Sequence, residues 1–316
     1  MLRIAFTSCF DAVRDSVQSG WTAMAQQQPK HIVLLGDNIY MDYGLGDHLP
    51  NGKPHGKSLA AFSAQMYGYY VQQWEVQSFQ QAIRAAATAH AIWDDHDFAW
   101  NNARGGEPVA DDPDCVPPEY RRLSRALFEQ YRRALVDKPD AYPANQVADG
   151  IVPGDLGGIQ ETIDLSDGLR LHLLDGRSFR EAATKDSSLL GAPQREQLGQ
   201  DFLSGTGINL VASGTTLKDW KKYSDYRWLR DQAERFRILV LSGDVHELDF
   251  RANGRLFEAT ASAMAQPPGP TAVLGKQSEV FGLLDIDDRN IVVSLWHRGK
   301  KEQEHVIAID TWSSDI

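Results

Sequence analysis

The chain has 316 residues, 42% hydrophobic and 24% charged, the balance of a globular protein with a sizeable core. Its 43 acidic residues outnumber 32 lysines and arginines, and the formal charge of −11 argues against broad nucleic-acid binding, which needs basic surface to displace counterions. Two cysteines, Cys9 and Cys115, exclude a disulfide framework, and no apolar stretch approaches the roughly 20 residues that span a bilayer.

Apolar runs and helical patterns alternate along the chain, which predicts an α/β protein. LRIAFTSC reads as a strand and 12–28 as a helix. HIVLLGD is a second strand, with an unbroken apolar core as expected for burial on both faces. A long helical region over 58–88 leads to a third strand, HAIWDD, and PPEYRRLSRALFEQYRRAL is a helix with proline at its start. GIQETIDL and LRLHLLDGR form a hairpin, APQREQLGQDFL a helix, and INLVASGT and RFRILVLSGDVH further strands. The end is strand-rich: RLFEATASAM, GLLDIDD, NIVVSLWHR and HVIAIDTW. No repeat or linker divides the chain, so residues 1–316 are expected to form one domain. Two Gly- and Pro-rich segments, 42–58 and 102–119, read as binding loops or lids. Within the first, Asp42, His48 and His55 are expected to shape access without ligating metal.

Four of the apolar runs end in residues that ligate metals. The first ends at Cys9, the second at Asp37 with Tyr40 three positions on, the third at Asp94 to Asp97, and the fourth at Asp244 and His246. Ligands of open α/β sheets bind at the C-terminal strand ends, so four such endings predict one shared site. Cations there would also offset the repulsion inside Trp93-Asp94-Asp95-His96-Asp97. Carboxylates suit magnesium, calcium or manganese, and imidazole adds zinc or iron. A thiolate and a phenolate, Cys9 and Tyr40, favour a more polarising metal such as iron. Two or more ions are expected, iron together with calcium, manganese, magnesium or zinc. Paired cations in a carboxylate-rich site are the common device for hydrolysing phosphate esters.

Each residue also has a plainer reading. Cys9 would suit a small core position, Tyr40 a core edge, and the acids turns or helix caps. His96 would suit a core histidine satisfied by a carboxylate. Asp94 and Asp97 read as supporting or turn acids, and Trp93 and Trp100 as packing.

The motifs FTSC, LLGDNIY, WDDHDFAWNN, LLDGRSFR and LSGDVH, in that order over most of the chain, resemble those of the alkaline phosphatase D (PhoD-like) family, a branch of the calcineurin-like metallophosphoesterases. The resemblance implies a four-layer αββα sandwich with a metal centre at the strand ends. It implies Cys9, Asp37 and Tyr40 as iron-type ligands, Asp37 as the bridge between metals, Asp95 as a further ligand and His96 as the catalytic histidine. Asp244 and His246 match the last ligand pair. Asn101 matches an active-site asparagine, with Asn102 as the alternative. Arg177 matches an arginine near the site, read either as a phosphate binder or as a structural partner of Asp175. Many members are exported and carry an extra N-terminal β-sandwich; neither a leader nor that domain is seen here, so a cytoplasmic location is expected unless a leader was trimmed. The expected reaction is hydrolysis of a small phosphate ester by water activated on the metals and attacking phosphorus in line. Neither a membrane nor nucleic acid is expected as partner, and the oligomeric state is open. The rivals are a metallohydrolase of another ester or amide, and a degenerate metal- or phosphate-binding protein without turnover.

Overall fold

The structure, a computed structural model, describes residues 1–42, 57–107, 112–154, 156–205, 207–266 and 278–315. The chain opens on β1 (Leu2–Thr7), α1 (Gly20–Gln26) and β2 (His31–Leu35), then passes through α2 (Leu59–Glu75) and α3 (Gln77–Ala85) into β3 (Thr88–Ile92). A one-turn helix α4 (Asp95–Phe98) and the long α5 (Pro118–Asp137) follow. Next come β4 (Glu161–Ser166), β5 (Leu169–Leu173), α6 (Ala192–Ser204), β6 (Ile208–Ser213), α7 (Leu217–Trp220), α8 (Ser224–Ala233) and β7 (Arg237–Ser242). The remainder is β8 (Leu248–Asn253), β9 (Leu256–Ala261), β10 (Val280–Ile286), β11 (Asn290–His297), β12 (Lys300–Ala308) and β13 (Ser313–Ser314).

Among the described residues these strands form a seven-stranded sheet, β13-β12-β11-β10-β1-β2-β3, and a six-stranded sheet, β4-β5-β6-β7-β9-β8. β1, β2 and β3 are parallel, with Ile4 opposite His31 and His31 opposite Thr88. β5, β6, β7 and β9 are parallel as well. The sheets face each other, β2 against β6 and β10 against β9.

Side-chain alternation builds the layers. On β6 and β7, Leu210, Ala212, Leu239 and Leu241 enter the core shared with the first sheet. Their neighbours Val211, Ile238 and Val240 turn outward to Phe202 of α6, Trp220 of α7 and Leu229 of α8. On the far side of the first sheet, Trp21, Phe62, Phe79 and Leu127 bring in α1, α2, α3 and α5. The result is the αββα sandwich.

Three local expectations change. The first helix spans only Gly20–Gln26 because the Asp15 carboxylate accepts the backbone N–H groups of Val17 and Gln18, and Gln18 takes a left-handed φ of 47°. The long helical region breaks at Val76, whose extended backbone separates α2 from α3. The third strand stops at Ile92, so Asp95 opens α4 instead of ending a strand. The edge strand β8 and the helices α7 and α8 are further elements that the apolar pattern left unmarked.

The parallel strands bring their C-terminal ends to one edge, and close backbone approach there depends on glycine. Gly36 turns the chain out of β2 at φ 96°, and a Cβ on it would lie 2.6 Å from Asp94 Cβ and 2.7 Å from Asp94 N. Gly36→Ala is therefore expected to lower unfolding free energy by about 2–4 kcal/mol, strain and overpacking together. Gly68→Ala, in the interior of α2 with no atom within 4 Å of the added methyl, should instead raise it by about 0.5–1 kcal/mol. Urea unfolding of the two variants checks the opposite signs.

Candidate metal centre

β1, β2, β3 and β7 deliver Cys9, Asp37, Asp94, Asp95 and Asp244 to the same edge, and the backbone bends sharply where it does so. Cys9, Asp37, Asp244 and His246 all adopt left-handed φ values, 57°, 52°, 72° and 57°. That conformation costs L-residues about 1–2 kcal/mol each, so four cases in one site mark a place where side-chain position outweighs backbone comfort. Gly243 lets the chain after β7 pass close to Ser8, whose hydroxyl a Cβ would strike.

Asp37 sits at the centre and is buried. Its Oδ2 accepts from Cys9 Sγ at 3.4 Å and Tyr40 Oη at 3.2 Å, while its Oδ1 is buried with no hydrogen-bond partner. Two constellations of ligand atoms, each mutually within 4.8 Å, share this residue: Asp37, Asp95 and His96, and Asp37, Asp94 and Asp244. Burial, the neighbouring Cys9 and the nearby acids raise the Asp37 carboxyl well above its usual range. Burial likewise pushes Cys9 up to about 11, and burial with Asp94 and Asp95 pushes Asp244 up to about 7. These groups oppose one another's ionisation, and cations are what would relieve them. The orphaned Asp37 Oδ1 and the mixed donor set thus fit a metal centre.

The Trp93–Asp97 cluster resolves into separate tasks. Asp94 accepts from Arg177 Nε at 2.6 Å, and Arg177 Nη2 lies 3.6 Å from Asp95. Asp95 also accepts the backbone N–H groups of His96 at 3.1 Å and Asn102 at 2.6 Å. Burial would raise Asp95, but Arg177 and His96 hold it down to about 2. Asp97 is a structural stitch: its Oδ1 takes the Asp94 N–H at 2.5 Å and its Oδ2 the Asn38 N–H at 3.0 Å, tying the end of β3 to the residue after Asp37.

The other expected residues fall as follows. Tyr40 is buried, with its ring 4.3 Å from the His96 ring centroid. His246 is half-buried, its N–H on Ser262 Oγ at 3.3 Å, and its ring belongs to neither constellation. Asn101 and Asn102 are exposed; their backbone N–H groups bind Asp42 and Asp95. Arg177 pairs with Asp94 and not with Asp175, which accepts Trp93 Nε1 at 2.9 Å and the Arg177 N–H at 3.0 Å. Asp94, read as a turn acid, contributes to a ligand constellation. His48 and His55 lie outside the described residues.

The largest correction concerns Asp42, which does not stand apart from the site. It is buried, its Oδ1 lies 2.5 Å from His96 Nδ1, and its Oδ2 accepts the Asn101 N–H at 3.0 Å. Burial opposes a charge on His96, yet Asp42, Asp37 and Asp95 raise its pKa well above the usual value. The chain returns at once: the Met41 N–H donates to the His96 carbonyl at 3.2 Å, which carries Asp42 back over the histidine.

An αββα sandwich with acids and a histidine gathered at the strand ends is the architecture of calcineurin-like metallophosphoesterases. The family model of PhoD-like phosphatases matches residues 4–224, and the chain belongs to that family. The solved structure of PhoD is similar over 99% of this chain and 70% of its own, with TM-score 0.68 and 15% identity. Looser similarity extends to the phosphoesterase Yfce from E. coli, over 98% of this chain and 100% of that one, with TM-score 0.34 and 12% identity. A predicted phosphoesterase from Streptococcus pneumoniae TIGR4 is similar over 98% and 99%, with TM-score 0.36 and 10% identity. No curated protein matches the chain. Among the described residues no helix is long and apolar enough to cross a membrane.

Asp42→Asn keeps the shape of the His96 partner but removes its charge. The kcat is expected to fall by about 10²-fold or more, with metal content intact and the alkaline limb of the pH profile shifted to lower pH as His96 loses its proton more readily. Steady-state kinetics over pH, with elemental analysis of the same sample, measures both; an unmoved limb would detach Asp42 from the reaction.

Proposed function

We propose that the protein hydrolyses phosphate esters with two cations that share Asp37. The observation that carries this reading is that Asp37 belongs to both ligand constellations while its buried Oδ1 has no protein partner. Cys9, Tyr40, Asp244 and His246 would complete the position suited to an iron-type ion with Asp37. Asp94, grouped with Asp37 and Asp244, would border that same position, while Asp95, grouped with Asp37 and His96, would serve a harder ion such as calcium, manganese, magnesium or zinc. When bound, such ions supply charge for the phosphoryl oxygens and lower the pKa of water.

The chain's own groups supply the rest. With His96 Nδ1 engaged by Asp42, a proton can reach the departing oxygen only from Nε2, and the neighbouring carboxylates keep that proton in place. Arg177 holds Asp94 and Asp95 together beside Asp37 and favours the ionised form of each, against burial. Attack in line with the leaving oxygen is consistent with that arrangement. A small phosphate ester is the expected substrate.

Elemental analysis should return two metal equivalents per chain, with hydrolysis of p-nitrophenyl phosphate or bis(p-nitrophenyl) phosphate and none of p-nitrophenyl acetate or an anilide. Asp37→Asn should lose at least one equivalent and roughly 10³-fold in rate, as for other groups that stabilise transition-state charge. Two equivalents without turnover of either phosphate would leave a binding protein, and turnover of the acetate alone would shift the reaction class.

A further inference from the structure

Of the two arginines in LLDGRSFR, the one marked by family pattern is enclosed. Arg177 is 3% exposed, and its Nε, Nη1 and Nη2 face Asp94, the Ala103 carbonyl and Asp95. Its charge is matched by carboxylates on the spot. A substrate anion would have to displace one of them.

Arg180 differs in each respect. It is half-buried, its Nε donates to Tyr223 Oη at 2.9 Å, and its Nη1 donates to Thr215 Oγ1 at 3.2 Å. Both partners are neutral, and the guanidinium also lies 5.2 Å from the Tyr223 ring centroid. Among the described residues no carboxylate pairs with Arg180, and its Nη2 has no hydrogen-bond partner. The side chain is oriented, but its charge is not neutralised by a direct partner.

Its place is the rim of the centre. Thr215 follows Gly214 just beyond β6, where a Cβ on Gly214 would lie 2.6 Å from Asp94 Cγ. The Arg180 carbonyl accepts the Gly106 N–H at 3.0 Å, next to the Gly105 N–H on the Arg177 carbonyl at 2.8 Å, which fixes the backbone at both arginines.

We propose that Arg180, held open by Thr215 and Tyr223, binds the non-bridging oxygens of the substrate phosphoryl group and favours dianionic phosphomonoesters over monoanionic diesters. The inference rests on the phosphoesterase reading above and adds a substrate class to it. An anion approaching a centre rich in carboxylates needs a cation that those carboxylates do not already hold. A planar guanidinium with donors remaining matches two phosphoryl oxygens at once, and a second negative charge strengthens that contact.

The test compares metal-loaded wild type with Arg180→Met, Arg180→Lys, Thr215→Ala and the exposed control Arg227→Met. In Arg180→Met the KM for p-nitrophenyl phosphate and the inhibition constant of inorganic phosphate should both rise about 10–100-fold, the range of a charge-assisted hydrogen bond. The kcat should change by less than about threefold. The KM for bis(p-nitrophenyl) phosphate should rise less, Arg180→Lys should recover part of the loss, and metal content should stay at the wild-type value. Thr215→Ala, which only loosens the arginine, should move KM in the same direction by a smaller factor, and it carries the test if Arg180→Met does not fold. An active wild type with Arg180 and Thr215 variants within about twofold in KM and phosphate inhibition overturns the assignment alone, as does loss of metal in a folded Arg180→Met. A wild type with two metals that neither hydrolyses these esters nor binds phosphate overturns the phosphoesterase reading, and this assignment with it.

Discussion

The contact on which the edge of the sandwich depends is the guanidinium of Arg177 between Asp94 and Asp95. Two consecutive carboxylates lie buried at the end of β3, and an unpartnered buried charge costs several kcal/mol. Arg177 reaches them from the segment after β5, on the other sheet, so the same contact joins the two sheets at the place where their strands end. Gly36 and Gly214 add the close approach, one from each sheet, since a Cβ at either would strike Asp94. Asp94 is thereby enclosed by both sheets. A larger residue at either glycine, or a shorter one at 177, would separate the carboxylates from Asp37.

Once Arg177 is committed there, the positive charge available to the rest of the site is limited. Asp37 and Asp244 have no guanidinium paired with them among the described residues, and burial with their neighbours raises both. Thr7, Leu35 and Ser242 end strands in which every residue is regular; two positions further on, the chain turns left-handed at Cys9, Asp37 and Asp244. Regular hydrogen bonding thus holds the approach to the site, and the left-handed turns come just beyond it, at residues that carry candidate ligand atoms. That division allows a site whose groups repel one another to remain in a fold whose stability comes from elsewhere.

Much of this was legible in the sequence because it depends on local pattern. A continuous apolar run marks a strand buried on both faces, and the residue types just beyond it are set by what that edge does, so Cys9, Asp37, Asp95 and Asp244 could be located without coordinates. Alternating strands and helices marked the α/β class, whereas the strand order, with β1 beside β10, joins residues far apart in sequence and left no local signal. Contacts made across the fold were not legible. Asp42 stands at the start of a Gly- and Pro-rich segment and reads as loop; the Met41 bond to the His96 carbonyl and the Asn101 N–H on its own carboxylate hold it over the ring. For Arg177 the sequence offers a phosphate or the nearest acid, Asp175, but not Asp94, whereas the chain turns Asp175 toward backbone N–H groups and Trp93. The shortened first helix shows the same limit on a small scale, because Asp15 offers the backbone a better local partner than the helix does.

The three cationic groups at this edge differ mainly in what already balances them, and that difference orders their work. Arg177 is enclosed by two carboxylates and an amide carbonyl, so its charge serves the acids and not an incoming ligand. His96 is balanced at Nδ1 by Asp42, with Asp37 and Asp95 also favouring its charged form, so its charge depends on neighbouring acids and is open to proton transfer. Arg180 is oriented by a tyrosine and a threonine that contribute no charge. Moving outward from the core, each cation is less neutralised than the last, which is the gradient an anion needs to reach a centre built from acids. Exchanging the partners would reverse it: an aspartate at 215 would close the rim, and an amide at 42 would remove the counter-charge at His96 Nδ1.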